Sequence, residues 1–307
     1  MTLSINTNNS AMVALETLNA TQTELSATEN AVSTGLKVST AADNPAAFGI
    51  ASQMDGNIAG QGAVNDGLSF ASEVVSNTTS AANSILSVLN DVQAAVTSLG
   101  DNTGSTLSTN QINQEINGYL NQIDTIARNS TTNGVNLLSQ TTGTLGITAS
   151  SMQYVTGLQG DTASIGNLIA DTSMGMASVG QSVLTDALGL SEPGNTLGGS
   201  ISSNVFVTSG SMSNDVSTLI GKVQNAIQAM TNVTSQLGAN TKILASMSSY
   251  GSTLSDNLTA GVGALTDADM SAESAKLTSL QTKQSLAIKS LTIANGQSQN
   301  ILSLFQS

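Results

Sequence analysis

Carboxylates are the main side chains available for chemistry in this 307-residue sequence, because cysteine and histidine are both absent. Their absence excludes disulfides, zinc sites built on Cys or His, and nucleophiles activated by a histidine base. A hydrolase that uses two carboxylates is still compatible with the composition. Its candidates, chosen only by elimination, are Asp161, Asp171, Asp186 and Glu192. Aromatic residues make up only 2% of the chain, so surfaces for stacking a sugar are scarce, and this is the weakest alternative.

Two further patterns suggest ligand binding, and each has a simpler explanation. Asp267, Asp269 and Glu273 form an acidic cluster, but acidic residues are favoured at a helix start, and calcium loops need more oxygen ligands and a glycine turn. Gly221-Lys222 resembles a phosphate loop, but Val216 stands where the first glycine belongs and no Ser or Thr follows the lysine. We therefore predict no metal and no cofactor.

The charge balance limits the kinds of partner that the chain is expected to bind. The net charge is −13, which disfavours nucleic acid and anionic membranes, because both require clustered cations. No run of eighteen apolar residues predicts a membrane span. Lys37 is the first basic residue, so we expect no cleaved secretory signal. Proline occurs only at Pro45 and Pro193, which permits long helices.

Both ends of the chain predict long helices with a heptad pattern of apolar residues. The first covers about residues 8–36, and the last runs from about residue 269 almost to the end. Such helices bury their apolar stripes against each other, against copies of the same chain, or both. The residues predicted to form this assembly interface are Leu15, Leu18, Leu25, Val32, Leu36, Leu277, Leu280, Leu291, Ala294, Ile301, Leu304 and Phe305.

Three more helices are predicted between the two ends. The first covers about residues 45–100, with Asp43 or Asn44 as its N-cap and Pro45 as its first residue, and a possible break at residues 65–67. The second covers residues 108–129. The third begins near Ser213 and continues towards Leu258, and a glycine-containing stretch separates it from the last helix. Residues 266–269 resemble a capping box for that last helix, with Thr266 as the cap.

The middle of the chain, from about residue 141 to 210, has no lasting helical stripe and is rich in Gly, Ser and Thr. Its short apolar pieces at residues 146–148 and 204–207 predict strands. Helix at both ends with an irregular middle is typical of an assembly protein and not of an enzyme.

Several segments resemble bacterial flagellins in both order and position. They cover about the first 140 and the last 95 residues, whereas the middle matches no family. The matching segments are residues 4–8, 33–38, 41–46, 65–69, 133–138, 265–270, 273–277, 291–295 and 301–305.

The resemblance implies a mainly α subunit with three parts. Residues 1–44 and 269–307 would form an inner coiled-coil domain. Residues 45–140 and 211–268 would form a helical rod domain with a β-hairpin, in which residues 65–69 are the turn between the first long helices. Residues 141–210 would be a variable region on the outside.

It also implies a function. Flagellins polymerise into the extracellular helical filament of the bacterial flagellum, after export without a cleaved signal. The partners would be copies of the same chain, an export chaperone on the C-terminal helix, and the filament cap and hook-junction proteins. Residues 89–96 lack the Arg and Glu of the motif that the vertebrate flagellin receptor recognises, so we predict weak recognition. The nearest alternative is a hook–filament junction protein of the same superfamily.

Overall fold

The computed structural model describes residues 8–139, 145–170, 183–191, 204–208 and 211–305, together with the single residues 142, 175, 176, 199 and 201. Its helices are α1 (Asn9–Thr34), α2 (Pro45–Asp101), α3 (Thr106–Asn129), α4 (Leu184–Ala187), α5 (Val216–Thr266) and α6 (Met270–Phe305). Its strands are β1 (Met152–Val155), β2 (Thr162–Ile165), β3 (Val207–Thr208) and β4 (Ser211–Met212). The predicted mainly α fold with a β-hairpin is confirmed.

The chain divides into two compact units. The first, here called the terminal unit, comprises Met1–Ala59 and Ser255–Ser307, and the second, the central unit, comprises Gly60–Leu254. The three-part domain division expected from the sequence remains a prediction.

The core of the central unit is aliphatic, as the composition requires. An apolar stripe at helical spacing on α2 is fully buried, and its members are Ile85, Leu89, Val92, Val96 and Leu99. Ile116 and Ile123 of α3 and Val223 and Met230 of α5 are buried in the same core. Phe206, which precedes β3, is completely buried and is an aromatic member of this core.

Helix α2 is continuous, and the predicted break at residues 65–67 is wrong, as is the turn expected there from the resemblance. The side chains in this stretch bond within the helix: Gln61 Nε2 donates to Asn65 Oδ1 at 3.1 Å, and Ser69 Oγ donates to the Asn65 carbonyl oxygen at 2.9 Å. A Cβ on Gly251 of α5 would collide with the Asn65 and Gln61 side chains. Close packing by α5 therefore outweighs the cost of about 1 kcal/mol for Gly67 inside a helix.

The start of α2 agrees with the sequence. Asn44 Oδ1 accepts a hydrogen bond from the Ala47 backbone N–H at 3.1 Å, so Asn44 is the N-cap and Pro45 the first helical residue. The carboxylate of Asp43 accepts bonds from the backbone N–H groups and hydroxyls of Ser39 and Thr40. These bonds, led by the Thr40 backbone N–H, lower the pKa of Asp43.

The strands differ in part from the prediction. The antiparallel hairpin β1–β2 pairs Met152 with Ile165 and Val155 with Thr162, and the strand predicted at residues 146–148 is not formed. The strand predicted at residues 204–207 overlaps β3, which pairs with β4. In β1 the buried residues Met152 and Tyr154 alternate with exposed ones, but four residues are too few for that pattern to stand out in the sequence.

Candidate assembly interface

Helix α1 has a well-defined beginning and end. Asn8 Oδ1 accepts a hydrogen bond from the Ala11 N–H at 3.1 Å, which satisfies one free donor of the first turn. At the other end Gly35 adopts a φ of 73°, a left-handed conformation that glycine takes without strain, and its N–H donates to the Ala31 carbonyl oxygen.

Helix α6 begins at Met270, and Asp269 is its cap. Asp269 Oδ1 accepts from the backbone N–H groups of Ser271 at 2.9 Å and Ala272 at 3.2 Å. The predicted capping box was displaced by three residues, because Thr266 is the last residue of α5 and not the cap of α6. The acidic residue at position 269 therefore has a structural role at the helix start.

A short backbone pairing, here called the clamp, joins residues 35–38 to residues 264–268. The Lys37 N–H donates to the Thr266 carbonyl oxygen at 2.7 Å, and the Ala268 N–H donates to the Gly35 carbonyl oxygen at 2.8 Å. The Lys37 ammonium donates to the Ala264 carbonyl oxygen at 2.8 Å. The clamp holds the C-terminal end of α1 beside the start of α6.

Helices α1 and α6 pack against each other in antiparallel orientation, which confirms the predicted pairing of the terminal helices. Asn8 Nδ2 donates to the Ala294 carbonyl oxygen at 2.8 Å, far along α6 from the clamp. These two fixed points set the register of the antiparallel helix pair.

Most of the less exposed positions of each helix follow an alternation of three and four residues, and we call these two rows the seam. In α1 they are Ala11, Ala14, Leu18, Thr21, Leu25, Thr28 and Val32. In α6 they are Glu273, Leu277, Leu280, Gln284, Ala287, Leu291 and Ala294. Small and polar residues occupy many of these positions, so the seam buries little apolar surface for its length.

The predicted interface residues are distributed unevenly. Leu25, Leu280 and Ala294 are buried in the seam. Half-buried positions are Leu18, Val32, Leu36, Leu277 and Leu291, whereas Leu15 is 49% exposed. The side chains of Ile301, Leu304 and Phe305 lie outside the described residues. Participation of these residues in contacts between subunits remains a prediction.

Sequence reasoning missed Thr21 and Thr28, which are among the most buried residues of α1. Thr21 Oγ1 donates to the Thr17 carbonyl oxygen at 2.8 Å. Thr28 is 1% exposed, and its hydroxyl has no hydrogen-bond partner within the described residues. The seven-residue spacing of these threonines is the signal that would have identified them.

The unpartnered hydroxyl of Thr28 gives a testable expectation. Thr28→Val keeps the shape of the side chain and removes a buried polar group, so we expect it to stabilise the seam by about 1–3 kcal/mol. Thr21→Val is the matched control, and should change stability less because its hydroxyl already bonds within the helix. The temperature at which assembled material dissociates measures both; equal or lower values for Thr28→Val would contradict the expectation.

Some other site types are not found in the described part of the chain. No described helix is long and apolar enough to cross a membrane. No group of three or more potential metal ligands occurs among the described residues.

The N-terminal and the C-terminal helical parts of the chain each match a known family model. Residues 5–142 match the bacterial flagellin N-terminal helical region, and residues 220–305 match the bacterial flagellin C-terminal helical region. Flagellin FljM of Caulobacter vibrioides is 31% identical over 305 residues, covering 99% of this chain and 98% of the relative. The chain belongs to the flagellin family.

Two other relatives agree with this assignment. A flagellin of Brucella melitensis is 32% identical over 304 residues, and flagellin C of Rhizobium meliloti is 32% identical over 321 residues; each covers 99% of both chains. A crystal structure of Bacillus cereus flagellin aligns with a TM-score of 0.41 at 17% identity, covering 60% of this chain and 86% of that chain.

Flagellins form a structural protein family, and this flagellin is a filament subunit of the bacterial flagellum that assembles with copies of itself. The seam residues on α1 and α6 lie within the two matched helical regions, so the paired terminal helices belong to the part of the chain that matches the family.

Proposed function

We propose that the paired terminal helices form the inner layer of the filament and complete their folding only on assembly. The observation that carries this proposal is a set of seven large apolar side chains on the terminal unit that lie outside the sparse seam and are 49–68% exposed in the single chain. They are Met12, Val13, Leu15, Ile50, Leu286, Ile288 and Ile293.

An exposed apolar surface of this kind is unfavourable in an isolated chain and favourable between copies. Because the seam buries few large side chains, the energy for ordering α1 and α6 must come largely from contacts with neighbouring subunits. Folding and polymerisation are then coupled, and the free chain does not hold its terminal helices stably.

The finer organisation belongs to the same proposal. Residues 1–44 with 269–307 form the inner domain, residues 45–140 with 211–268 the rod, and residues 141–210 the outer region. The chain leaves the cell without a cleaved signal, escorted by a chaperone on the C-terminal helix, and meets the cap and hook-junction proteins at the ends of the filament.

Catalysis has no part in this function. Of the four carboxylates considered for a hydrolase, Asp161 is exposed beside the β-hairpin, and Asp186 is buried in a hydrogen-bonded cluster. Asp171 and Glu192 lie outside the described residues. A hydrolase needs two carboxylates facing one substrate site, and within the described residues the exposed Asp161 and the buried Asp186 give no support for such a pair.

Seeded polymerisation tests the proposal. Purified chain added to short fragments of its own filament should elongate them into long filaments visible by electron microscopy. A hook–filament junction protein would instead bind fragment ends without elongating them, and that result would overturn the proposal.

A matched pair of variants makes the test specific to the exposed surface. Ile293, which is 68% exposed, is changed to alanine, and its exposed neighbour Thr292 is changed to alanine in a second protein. Ile293→Ala should slow elongation far more than Thr292→Ala, because only the former loses large apolar surface. Equal elongation rates would show that this surface does not contact neighbouring subunits.

A further inference from the structure

The central unit contains a cluster of buried polar side chains that filament assembly does not explain. Asp124 of α3 is 6% exposed and Asp186 of α4 is 3% exposed. Thr185 and Ser191 are equally well buried beside them. Buried carboxylates are costly unless they are paired or fully hydrogen-bonded, so two in one cluster require an explanation.

The four side chains form a single chain of contacts. Thr185 Oγ1 lies 2.8 Å from Asp124 Oδ2, Ser191 Oγ lies 3.0 Å from Thr185 Oγ1, and Ser191 Oγ is in short contact with Asp186 Oδ1. The Thr185 backbone N–H also donates to Asp124 Oδ1 at 3.0 Å. The two carboxyl groups are therefore connected through two hydroxyls.

Counting hydrogens shows how many protons this series of contacts requires. Its three contacts between side chains, from Asp124 to Thr185 to Ser191 to Asp186, each need one hydrogen to be a hydrogen bond. The hydroxyls of Thr185 and Ser191 supply one hydrogen each. The third hydrogen must come from a carboxylic acid, so all three bonds form together only when one of the two carboxyl groups is protonated.

The electrostatic surroundings favour such a proton. Burial raises the pKa of Asp124 to about 6, and the charge of Asp186 acts in the same direction, against the bonds from Thr185 and the charge of Arg128. Arg128, one turn along α3, directs its Nε to the Asp124 carbonyl oxygen at 3.2 Å and its Nη2 to Thr125 Oγ1 at 3.0 Å. The guanidinium therefore does not pair with the Asp124 carboxylate in place of the proton.

We propose that Asp124 and Asp186 share one proton through the hydroxyls of Thr185 and Ser191, and that this proton fastens residues 184–191 to α3. When the proton is lost, one of the three contacts loses its hydrogen bond and the cluster holds two buried negative charges. Residues 184–191 then loosen from α3 as pH rises. The cluster is a pH-sensitive fastening within the flagellin subunit.

The sign of the pH dependence follows from linkage. A carboxyl group whose pKa is higher in the folded chain than in the unfolded chain binds more protons when folded, so its contribution to stability decreases as pH rises between those two values. For Asp124 this range extends from its ordinary value of 3.8 to about 6. Attachment of residues 184–191 should thus be firmest in mild acid and weaker at neutral pH.

Hydrogen exchange of the full-length chain measures this directly. Protection of the Thr185, Leu188 and Leu190 amides, corrected for intrinsic rates, should decrease between about pH 4 and pH 7 by roughly tenfold for each pKa unit of the shift. Carboxyl ¹³C NMR of chain labelled at aspartate should show the two groups retaining one proton between them above about pH 5.

Asp186→Asn distinguishes this proposal from a simple hydrogen-bonded cluster. The asparagine amide supplies the third hydrogen permanently and removes the charge of Asp186, so Asp124 should ionise at lower pH and the protection should depend less on pH. Asp161→Asn, an exposed position with the same change of charge, is the control and should leave both properties as in the parent.

Two results would overturn the proposal. One is complete ionisation of both Asp124 and Asp186 in the parent by about pH 4. The other is lower protection in Asp186→Asn than in the parent at every pH, as expected if the substitution only removes a hydrogen bond. Should that variant fail to fold, the carboxyl titration of the parent decides alone.

Discussion

A chain that ends at residue 290 is expected to form no filaments, although its central unit should remain folded. The deletion removes Leu291 and Ala294 from the seam, together with the carbonyl oxygen that accepts the hydrogen bond from Asn8. It also removes Ile293, which is 68% exposed and available to a neighbouring subunit. Both surfaces needed to order the terminal helices are shortened at once.

Sedimentation and electron microscopy measure filament formation, and thermal unfolding followed by circular dichroism reports on the central unit. The full-length Thr292→Ala variant is the control, since it alters an exposed residue of the deleted segment without shortening α6. Polymerisation of the shortened chain at the same protein concentration as the parent would show that the end of α6 is dispensable.

The second large effect is expected in the central unit. Phe206 is completely buried, and Phe206→Ala should lower the free energy of unfolding of this unit by about 3–5 kcal/mol, through lost burial and the cavity that remains. The nearby Asn204 should not offset this loss of stability, because its side chain is already hydrogen-bonded. Its Oδ1 accepts from the Phe206 N–H at 2.9 Å, and its Nδ2 donates to Asn113 and Asn117 of α3.

Tyr250→Ala is the matched control for Phe206→Ala. Tyr250 is also aromatic and belongs to the central unit, but it is 68% exposed, so its truncation should cost little in the isolated chain. Denaturant unfolding of both variants compares the two sites. Similar losses of stability would mean that Phe206 contributes no more to the core than a surface aromatic does.

The seam illustrates how far the sequence alone can be interpreted. On α6 the residues from Leu277 to Ala294 fit one heptad frame, and the prediction coincided with the observed positions. On α1 two frames share Ala11, Leu18, Leu25 and Val32, and the prediction chose the one containing Leu15. The chain adopts the other, which contains Thr21 and Thr28.

The reason is physical. The predicted frame, which contains Leu15, would have placed Gln22 and Glu29 in the seam. In the frame that the chain adopts, a threonine hydroxyl can bond to a carbonyl four residues earlier, as Thr21 does. Apolarity alone favoured Leu15, but that frame would bury the long polar side chains of Gln22 and Glu29, which costs more than burying two threonines. A pattern of apolar residues does not include this difference between polar side chains.

The cluster around Asp124 was not predicted at all. Asp124 and Asp186 are 62 positions apart, and residues between them include an irregular stretch without a periodic pattern. Only the packing of α4 against α3 brings the carboxyl groups together. Asp186 was considered as a catalytic candidate, but its actual neighbours are hydroxyls in a closed interior and not a substrate site.

The clamp has a consequence for the order of events when the terminal helices pair. It keeps the last residue of α1 and the first residues of α6 adjacent, so their first contacts close almost no loop and cost little chain entropy. Pairing is therefore expected to nucleate at the clamp and to spread towards the two ends of the chain, in the manner of a zipper. Contacts near Asn8 and Ala294 form last, and shortening the chain from its ends leaves the nucleus of this reaction intact.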